Sequence, residues 1–256
     1  MAKHVVNLAL QGGGAHGAFT WGALDRILEE RSIAIEGISA TSAGAMNAIA
    51  LKHGWVAGGR NPRAGARDWL ERFWLRVAGL DGIIGEDVLD WIRYVWPSPA
   101  LTSRLLELNP AVIAGGAVSR VLSPYQFNPG NYHPLRGVVE EMIDTSCAAS
   151  ARGPKLFISA TNVRDGRPRI FQGAEITTDA ILASACLPTL DQAVEIDDPR
   201  TGRREAYWDG GYMGNPALYP LHYHTKARDI VIVHINPLYR EELPRTTGEI
   251  MSRSTR

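Results

Sequence analysis

The chain has 256 residues, of which 45% are hydrophobic and 21% are charged, and this composition excludes disorder over the whole chain. The 27 basic and 27 acidic side chains give a net charge of zero, which argues against a nucleic-acid binder held by phosphate contacts. The two cysteines, Cys147 and Cys186, cannot form a disulfide framework, and we expect both to be reduced core residues.

The N-terminus has no recognisable targeting sequence. The apolar run Val5–Leu10 is too short for the core of a signal peptide and is interrupted by Asn7. No stretch approaches the roughly 18 uninterrupted apolar residues that a transmembrane helix needs. We therefore expect a soluble, cytoplasmic protein, for which peripheral contact with a membrane stays open.

The first quarter of the chain predicts a β–α–β–α order. Val5–Leu10 is a short strand that ends in a run of glycines, and an amphipathic helix follows. A second strand at Ile33–Ala40 leads into the small, apolar segment Thr41–Gly54, which is typical of a buried helix. This order favours an α/β fold whose central, mostly parallel sheet is flanked by helices.

Residues 55–132 predict a tryptophan-rich helical insertion in this core. They contain five of the seven tryptophans and two apolar stripes at helical spacing. The stripes consist of Trp69, Leu70, Phe73, Trp74 and Val77, and of Trp91, Ile92 and Val95. Two interpretations stay open: the stripes pack on the sheet, or part of their surface forms a lid that receives an acyl chain.

The core pattern then resumes and predicts one domain over residues 1–240. The predicted elements are a helix at Pro134–Asp144, a hairpin formed by Leu156–Ala160 and Arg169–Phe171, a helix from Thr177 to Pro188, a strand at Glu205–Trp208, and a buried strand at Ile230–Ile235. Residues 241–256 form a polar C-terminal tail that ends abruptly, so truncation stays open.

The segment Ala40-Thr41-Ser42-Ala43-Gly44 has the layout of a nucleophile elbow. A serine between a strand and a helix, with tiny neighbours two positions on either side, can be held exposed on a tight turn. The usual pattern is Gly-x-Ser-x-Gly, and here Ala40 occupies the first position. The amide after Ser42 would point to where an oxyanion develops. The alternative interpretation is that Ser42 only caps the helix.

The glycine turn after the first strand has two functional interpretations. Gly12, Gly14 and Gly17 match Gly-x-Gly-x-x-Gly, as in dinucleotide binding. That motif needs an acidic residue at the end of the next strand; Glu36 is the candidate, but the strand ends in Thr41-Ser42 instead. The other interpretation is an oxyanion hole that faces Ser42 across the same edge of the sheet. A third interpretation is a turn needed only for close packing of the strand against the helix.

The segment Asp209-Gly210-Gly211 places a carboxylate directly after a predicted strand. Two glycines leave this carboxylate uncovered, although Asp-Gly is also a common turn. The combination of this carboxylate with the exposed serine and the glycine turn favours a functional site.

These motifs resemble those of the patatin-like phospholipases. GGGAHG, ATSAG and WDGG occur in that family's order and spacing, and LFISATNVRDG and ILASACLPTL resemble the segments that precede its Asp-Gly pair. The resemblance covers most of residues 5–240. It implies a Ser-Asp dyad hydrolase of acyl esters, especially lipids, with Ser42 as nucleophile and Asp209 as base. It also implies that the backbone of Gly13 and Gly14 forms the oxyanion hole.

Two other functions remain as alternatives: a nucleotide-binding oxidoreductase, and a non-catalytic lipid-binding protein on the same fold. His222 and His224 could add a catalytic histidine, but in α/β-hydrolases the nucleophile follows several strands, whereas here it follows the second. No cluster has metal-ligand spacing, so we expect no metal and no cofactor. The expected partner is a lipid or acyl-ester substrate.

Overall fold

The protein is described here by a computed structural model that places residues 4–79, 122–236, 238–239, 241 and 243–245. The fold is α/β, as predicted. Within the described residues, the strands form one seven-stranded sheet. They are β1 (His4–Leu10), β2 (Ile33–Thr41), β3 (Lys155–Asn162), β4 (Pro168–Gln172), β5 (Val194–Asp198), β6 (Arg203–Asp209) and β7 (Asp229–Val233).

The sheet is mixed, with a parallel centre. Its order is β5-β6-β3-β2-β1-β7, and β4 pairs with β3 outside this path. The four neighbouring strands β3, β2, β1 and β7 run parallel, whereas β4, β5 and β6 join by antiparallel pairing. The prediction of a mostly parallel sheet therefore holds for its centre, and β5 is a strand that the sequence patterns did not predict.

Helices cover both faces of the sheet. They are α1 (Gly17–Glu29), α2 (Ala43–Ala57), α3 (Pro62–Ala78), α4 (Pro124–Phe127), α5 (Pro134–Met142), α6 (Thr178–Ser184) and α7 (Tyr219–His224). On β1, Val6, Leu8 and Leu10 enter the larger core, which α1, α2 and α3 share. Ala9 points to the opposite face and packs in a smaller cluster with Leu221 of α7.

Helix α2 is the central helix of the larger core. Its first nine residues and Lys52 are buried, as the small apolar sequence predicted. The Lys52 ammonium donates hydrogen bonds to the carbonyl oxygens of Ser150, Arg152 and Pro154, at 2.7 to 3.0 Å. These acceptors offset the cost of burying the charge, and burial lowers the pKa of Lys52. The contact holds the loop that leads into β3.

The first tryptophan-containing stripe belongs to the core, and the described residues show no separate tryptophan-rich insertion. Leu70, Phe73 and Trp74 are buried, and α3 packs against both α1 and α2. The first stripe is therefore in the core, but its helix packs mainly on other helices, rather than on the sheet as one interpretation had it. The second stripe, Trp91, Ile92 and Val95, lies outside the described residues.

The prediction of a buried last strand is wrong. β7 is the outermost strand beside β1, and Ile230, Val231 and Ile232 are all exposed. A continuous apolar run is typical of a strand covered on both faces, but position in the sheet decides burial, and β7 lies at its edge.

Two expectations from composition can be compared with the described residues. Cys147 and Cys186 are both free and buried, as predicted. None of the described helices combines the length and the apolar composition that crossing a bilayer requires.

Candidate active site

The three motif-bearing turns meet at one edge of the sheet. Leu10 at the end of β1 pairs with Ala40, and Thr41 at the end of β2 pairs with Ser159. Ala160 in turn pairs with Asp209, where the antiparallel strand β6 ends. The glycine turn, Ser42 and Asp209 therefore leave three different strands at the same place.

Ser42 has a strained backbone between β2 and α2. Its φ of 54° and ψ of −125° lie in a region that residues with a side chain rarely adopt. Gly44 allows this turn, because a Cβ atom there would overlap the carbonyl oxygen of Leu10. Ala40 is a buried residue within β2, so a methyl group is accommodated at that position.

Hydrogen bonds from distant segments hold the end of β2. The Ser42 amide donates to the Ser184 hydroxyl at 2.9 Å, and that hydroxyl donates to the Ser159 carbonyl at 2.6 Å. The Thr41 hydroxyl donates to the carbonyl of Gly214 at 2.9 Å. The strained turn is thereby fixed to β3, to α6 and to the segment after Asp209.

The glycine turn lies against Ser42. A Cβ atom at Gly12 would lie 2.6 Å from Ser42 Cβ, so only glycine allows this approach. Gly13 and Gly14 follow, and Gly14 has a positive φ of 58°. Among the described residues, no acceptor is found for the amides of Gly13, Gly14 or Ala43.

Gly17 closes the glycine turn from the other side. It begins α1, where a Cβ atom would lie 2.6 Å from the Trp74 ring and 2.8 Å from Ala43 Cβ. Asn47 joins the same elements: its Nδ2 donates to the carbonyl oxygens of Gly17 and Ala43, each at 3.0 Å. Gly17, which the sequence placed in the glycine motif, therefore has a packing role beneath the turn.

Asp209 is buried, and Ser42 lies at the same edge of the sheet. Burial raises the pKa of Asp209 to about 6, while the Gly211 amide and the Ser42 hydroxyl oppose this rise. The Gly211 amide lies 2.7 Å from Asp209 Oδ1. Gly210 packs on the carbonyl of Ser159, where a side chain would not fit. A carboxylate in this setting can accept a proton near neutral pH.

The other candidate residues lie elsewhere. His224 stacks on Phe157, and its carbonyl accepts a hydrogen bond from Lys155. Lys155 begins β3, so it lies at the opposite end of the parallel strands from Ser42. His222 lies on the same short helix, α7. Glu36 is in the first half of β2, where its carboxylate accepts from the amides of Lys226 and Ala227. No described cluster of three or more His, Cys, Asp or Glu is placed to hold a metal.

Two residues of this arrangement had no individual signal in the sequence. Asn215 contacts Gly12 across 203 positions, and Ser184 contacts Ser42 across 142. Asn215-Pro216 is a dipeptide typical of turns, and Ser184 lies within the segment ILASACLPTL, whose pattern says nothing of its partner.

Comparison with known proteins agrees with this geometry. The sequence profile described as patatin-like phospholipase matches residues 8–222, which include all three turns. The chain belongs to this family. The patatin-like phospholipases are acyl ester hydrolases that act on lipids. Membership of this family argues against the alternative of a dinucleotide-binding oxidoreductase.

The other comparisons add little. Curated protein sequences gave no significant match. A solved structure that resembles the chain is that of VipD from Legionella pneumophila, with 15% identity and a TM-score of 0.39. The match covers 89% of this chain and 49% of VipD, so the chain spans about half the length of that protein.

Proposed function

We propose that the protein is a serine lipid acyl hydrolase in which Ser42 is the nucleophile and Asp209 is its base. The observation that supports this proposal most is the position of a buried carboxylate, with a pKa raised to about 6, at the same edge of the sheet as the strained Ser42 turn. A serine capping a helix needs neither a strained backbone nor a carboxylate partner.

Acylation begins when Ser42 Oγ attacks the ester carbonyl carbon and its proton moves to Asp209. The carbonyl oxygen becomes an oxyanion that accepts hydrogen bonds from the amides of Gly13, Gly14 and Ala43. Collapse breaks the ester C–O bond, and Asp209 returns the proton to the departing alcohol. Water then attacks the acyl-enzyme, gives its proton to Asp209 and releases the free acid, after which the proton returns to Ser42.

The oxyanion donors contribute much of the rate enhancement. Each such donor in a preorganised site contributes about 3 kcal/mol to stabilising the tetrahedral intermediate. The N-terminus of α2, which begins at Ala43, adds positive potential at the same point. Because these groups belong to the backbone, their placement depends on the turns rather than on any one side chain.

The test compares four variants with the wild type. A fluorophosphonate probe should label the wild type and fail on Ser42→Ala, and p-nitrophenyl ester turnover should be lost in Ser42→Ala and Asp209→Asn. His222→Ala and His224→Ala are the controls, and each should retain most of the activity. Equal labelling of Ser42→Ala would refute the nucleophile, and a histidine variant as inactive as Asp209→Asn would establish a triad instead. A wild type without turnover or labelling would support a non-catalytic lipid-binding protein.

We also propose peripheral contact with lipid aggregates through exposed apolar side chains near the site. Phe19 follows the glycine turn, Leu187 follows Cys186, whose carbonyl accepts from the Asp209 amide at 2.7 Å, and Tyr212 and Met213 follow Gly211. Exposed aromatic and apolar groups beside a site are suited to a surface with an apolar and a wet side.

Vesicle binding tests this contact. Tyr212→Ser combined with Met213→Ser should reduce sedimentation with phosphatidylcholine vesicles, while turnover of a soluble short-chain ester stays unchanged. Tyr223→Ser is the matched control, because Tyr223 is also exposed but lies near the C-terminal end of α7, next to His224. Equal sedimentation of all three proteins would refute the contact.

A further inference from the structure

The side chain of Asn215 forms hydrogen bonds with both the amide and the carbonyl of Gly12. Its Oδ1 accepts a hydrogen bond from the Gly12 amide at 2.6 Å, and its Nδ2 donates to the Gly12 carbonyl at 3.4 Å. The first of these hydrogen bonds joins the start of the glycine turn to the segment that follows Asp209.

Gly12 is thereby enclosed between Asn215 and the nucleophile. A Cβ atom at Gly12 would lie 2.6 Å from Ser42 Cβ and 3.3 Å from Asn215 Oδ1. A Cβ atom at Gly211 would lie 3.0 Å from Asp209 Oδ1 and 3.8 Å from Asn215 Nδ2. One carboxamide therefore hydrogen-bonds to the glycine turn and lies beside the loop that carries the carboxylate.

The hydrogen bond to Asn215 occupies the Gly12 amide. The amides that follow it, those of Gly13 and Gly14, have no acceptor among the described residues. We propose that Asn215 is a positioning residue that, through Gly12, holds the amides of Gly13 and Gly14 where the oxyanion forms. This inference rests on the proposed hydrolase function.

The chemistry of the carboxamide supports this role over simple loop packing. An amide accepts the Gly12 N–H without adding charge, whereas a carboxylate would place a second negative group beside Asp209 and the developing oxyanion. If Asn215 were only a structural tie, removal of its carboxamide would act through stability alone. A positioning role instead predicts a loss that is specific to the oxyanion.

The experiment measures kcat/KM for p-nitrophenyl butyrate and the inhibition constants of two matched ketones. Ser42 Oγ adds to the carbonyl carbon of a trifluoromethyl ketone, the Ser42 hydroxyl proton moves to Asp209, and the carbonyl oxygen becomes an oxyanion. The methyl ketone instead remains a mimic of the ground state. Asn215→Ala should lower kcat/KM by about 10²-fold and weaken the trifluoromethyl ketone similarly, because a displacement of about 1 Å costs that much. Methyl ketone binding and the melting temperature should stay near wild type.

Asn128 provides the matched control. Its carboxamide makes the same pair of contacts with one backbone residue, Tyr132, at 3.0 Å and 2.9 Å. Asn128→Ala should leave kcat/KM and both inhibition constants unchanged. If Asn215→Ala does not fold, Asn215→Ser decides, since its shorter side chain loses the amide oxygen that accepts from the Gly12 amide: it should weaken the trifluoromethyl ketone selectively.

Three results would overturn the inference. Wild-type kcat/KM in Asn215→Ala, alongside Ser42-dependent turnover of the wild type, would overturn it while the proposed function stands. An equal loss for both ketones would reduce Asn215 to a structural tie. A wild type without Ser42-dependent turnover would overturn the proposed function and, with it, the inference.

Discussion

The backbone of Ser42 has an unfavourable conformation, with a positive φ, that the surrounding residues impose. A non-glycine residue in such a region costs about 1–3 kcal/mol, and it persists only when neighbouring contacts determine it. Here the Ser184 hydroxyl accepts from its amide, and Gly12 packs against its Cβ. The proposed nucleophile is therefore exposed to substrate at a cost in stability.

Replacing Ser42 by glycine should release this strain. We expect Ser42→Gly to be more stable than Ser42→Ala by about 1 kcal/mol, because glycine adopts a positive φ without a Cβ penalty. Both variants lack the hydroxyl and should be equally inactive, so the comparison isolates the backbone. Thermal unfolding of the two variants measures the difference, and a lower melting temperature for Ser42→Gly would show that the turn is not strained.

At the scale of elements, α3 packs against the starts of the two helices that border the site. The Trp74 indole donates to Asn47 Oδ1 at 2.9 Å, and its ring lies against Gly17. Asn47 in turn binds the carbonyl oxygens of Gly17 and Ala43. One tryptophan thus connects α3 with the starts of α1 and α2, which border the glycine turn and the nucleophile.

Truncating Trp74 should therefore affect all substrates alike. Trp74→Ala removes a largely buried ring and should cost about 3–5 kcal/mol of unfolding free energy. Its kcat/KM should fall by a similar factor for acetyl, butyryl and long-chain esters. Leu75→Ala, on the exposed face of the same helix, is the control and should change neither quantity. A selective loss for long-chain esters would instead place the acyl-chain pocket at Trp74.

At the scale of the whole molecule, the buried carboxylate of Asp209 links stability to pH. Burial raises its pKa from 3.8 to about 6, so the folded state holds this proton more tightly than the unfolded chain does. The favourable contribution is complete below about pH 4 and is lost as the pH rises through about 6. The loss amounts to about 3 kcal/mol, because each pKa unit corresponds to about 1.4 kcal/mol.

Asp209→Asn tests this linkage, because the amide keeps the acceptor for Gly211 and cannot ionise. The variant should be more stable than the wild type at about pH 7, and the difference should shrink towards about pH 4. Other titrating groups are common to both proteins and cancel in the difference. Urea unfolding at several pH values measures it, and a difference that does not change with pH would contradict the raised pKa.

The same pKa predicts the acid limb of the activity profile. Because the base must be ionised, kcat/KM should be constant above about pH 7 and fall about tenfold per unit well below about pH 6. A limb centred near about pH 4 would mean that the carboxylate is solvated in the working enzyme.

Much of the site followed from local sequence. A strand that ends in glycines, a serine between tiny residues and a strand that ends in Asp-Gly-Gly each predict a turn, and strand polarity alone puts the first two turns at one sheet edge. Gly12 and Gly44 were recognised from the motifs, although the atoms that require glycine there, Ser42 Cβ and the Leu10 carbonyl, belong to other parts of the chain.

Tertiary structure decided the remainder, because it depends on contacts between residues far apart in the chain. The contact of Asn215 with Gly12 and that of Ser184 with Ser42 arise only when the sheet assembles. Hydropathy likewise gave the apolar character of β7 and of α3 but not their burial, since a strand at the edge stays exposed and a helix between two others does not. Strand order and helix packing are global properties, and no local pattern encodes them.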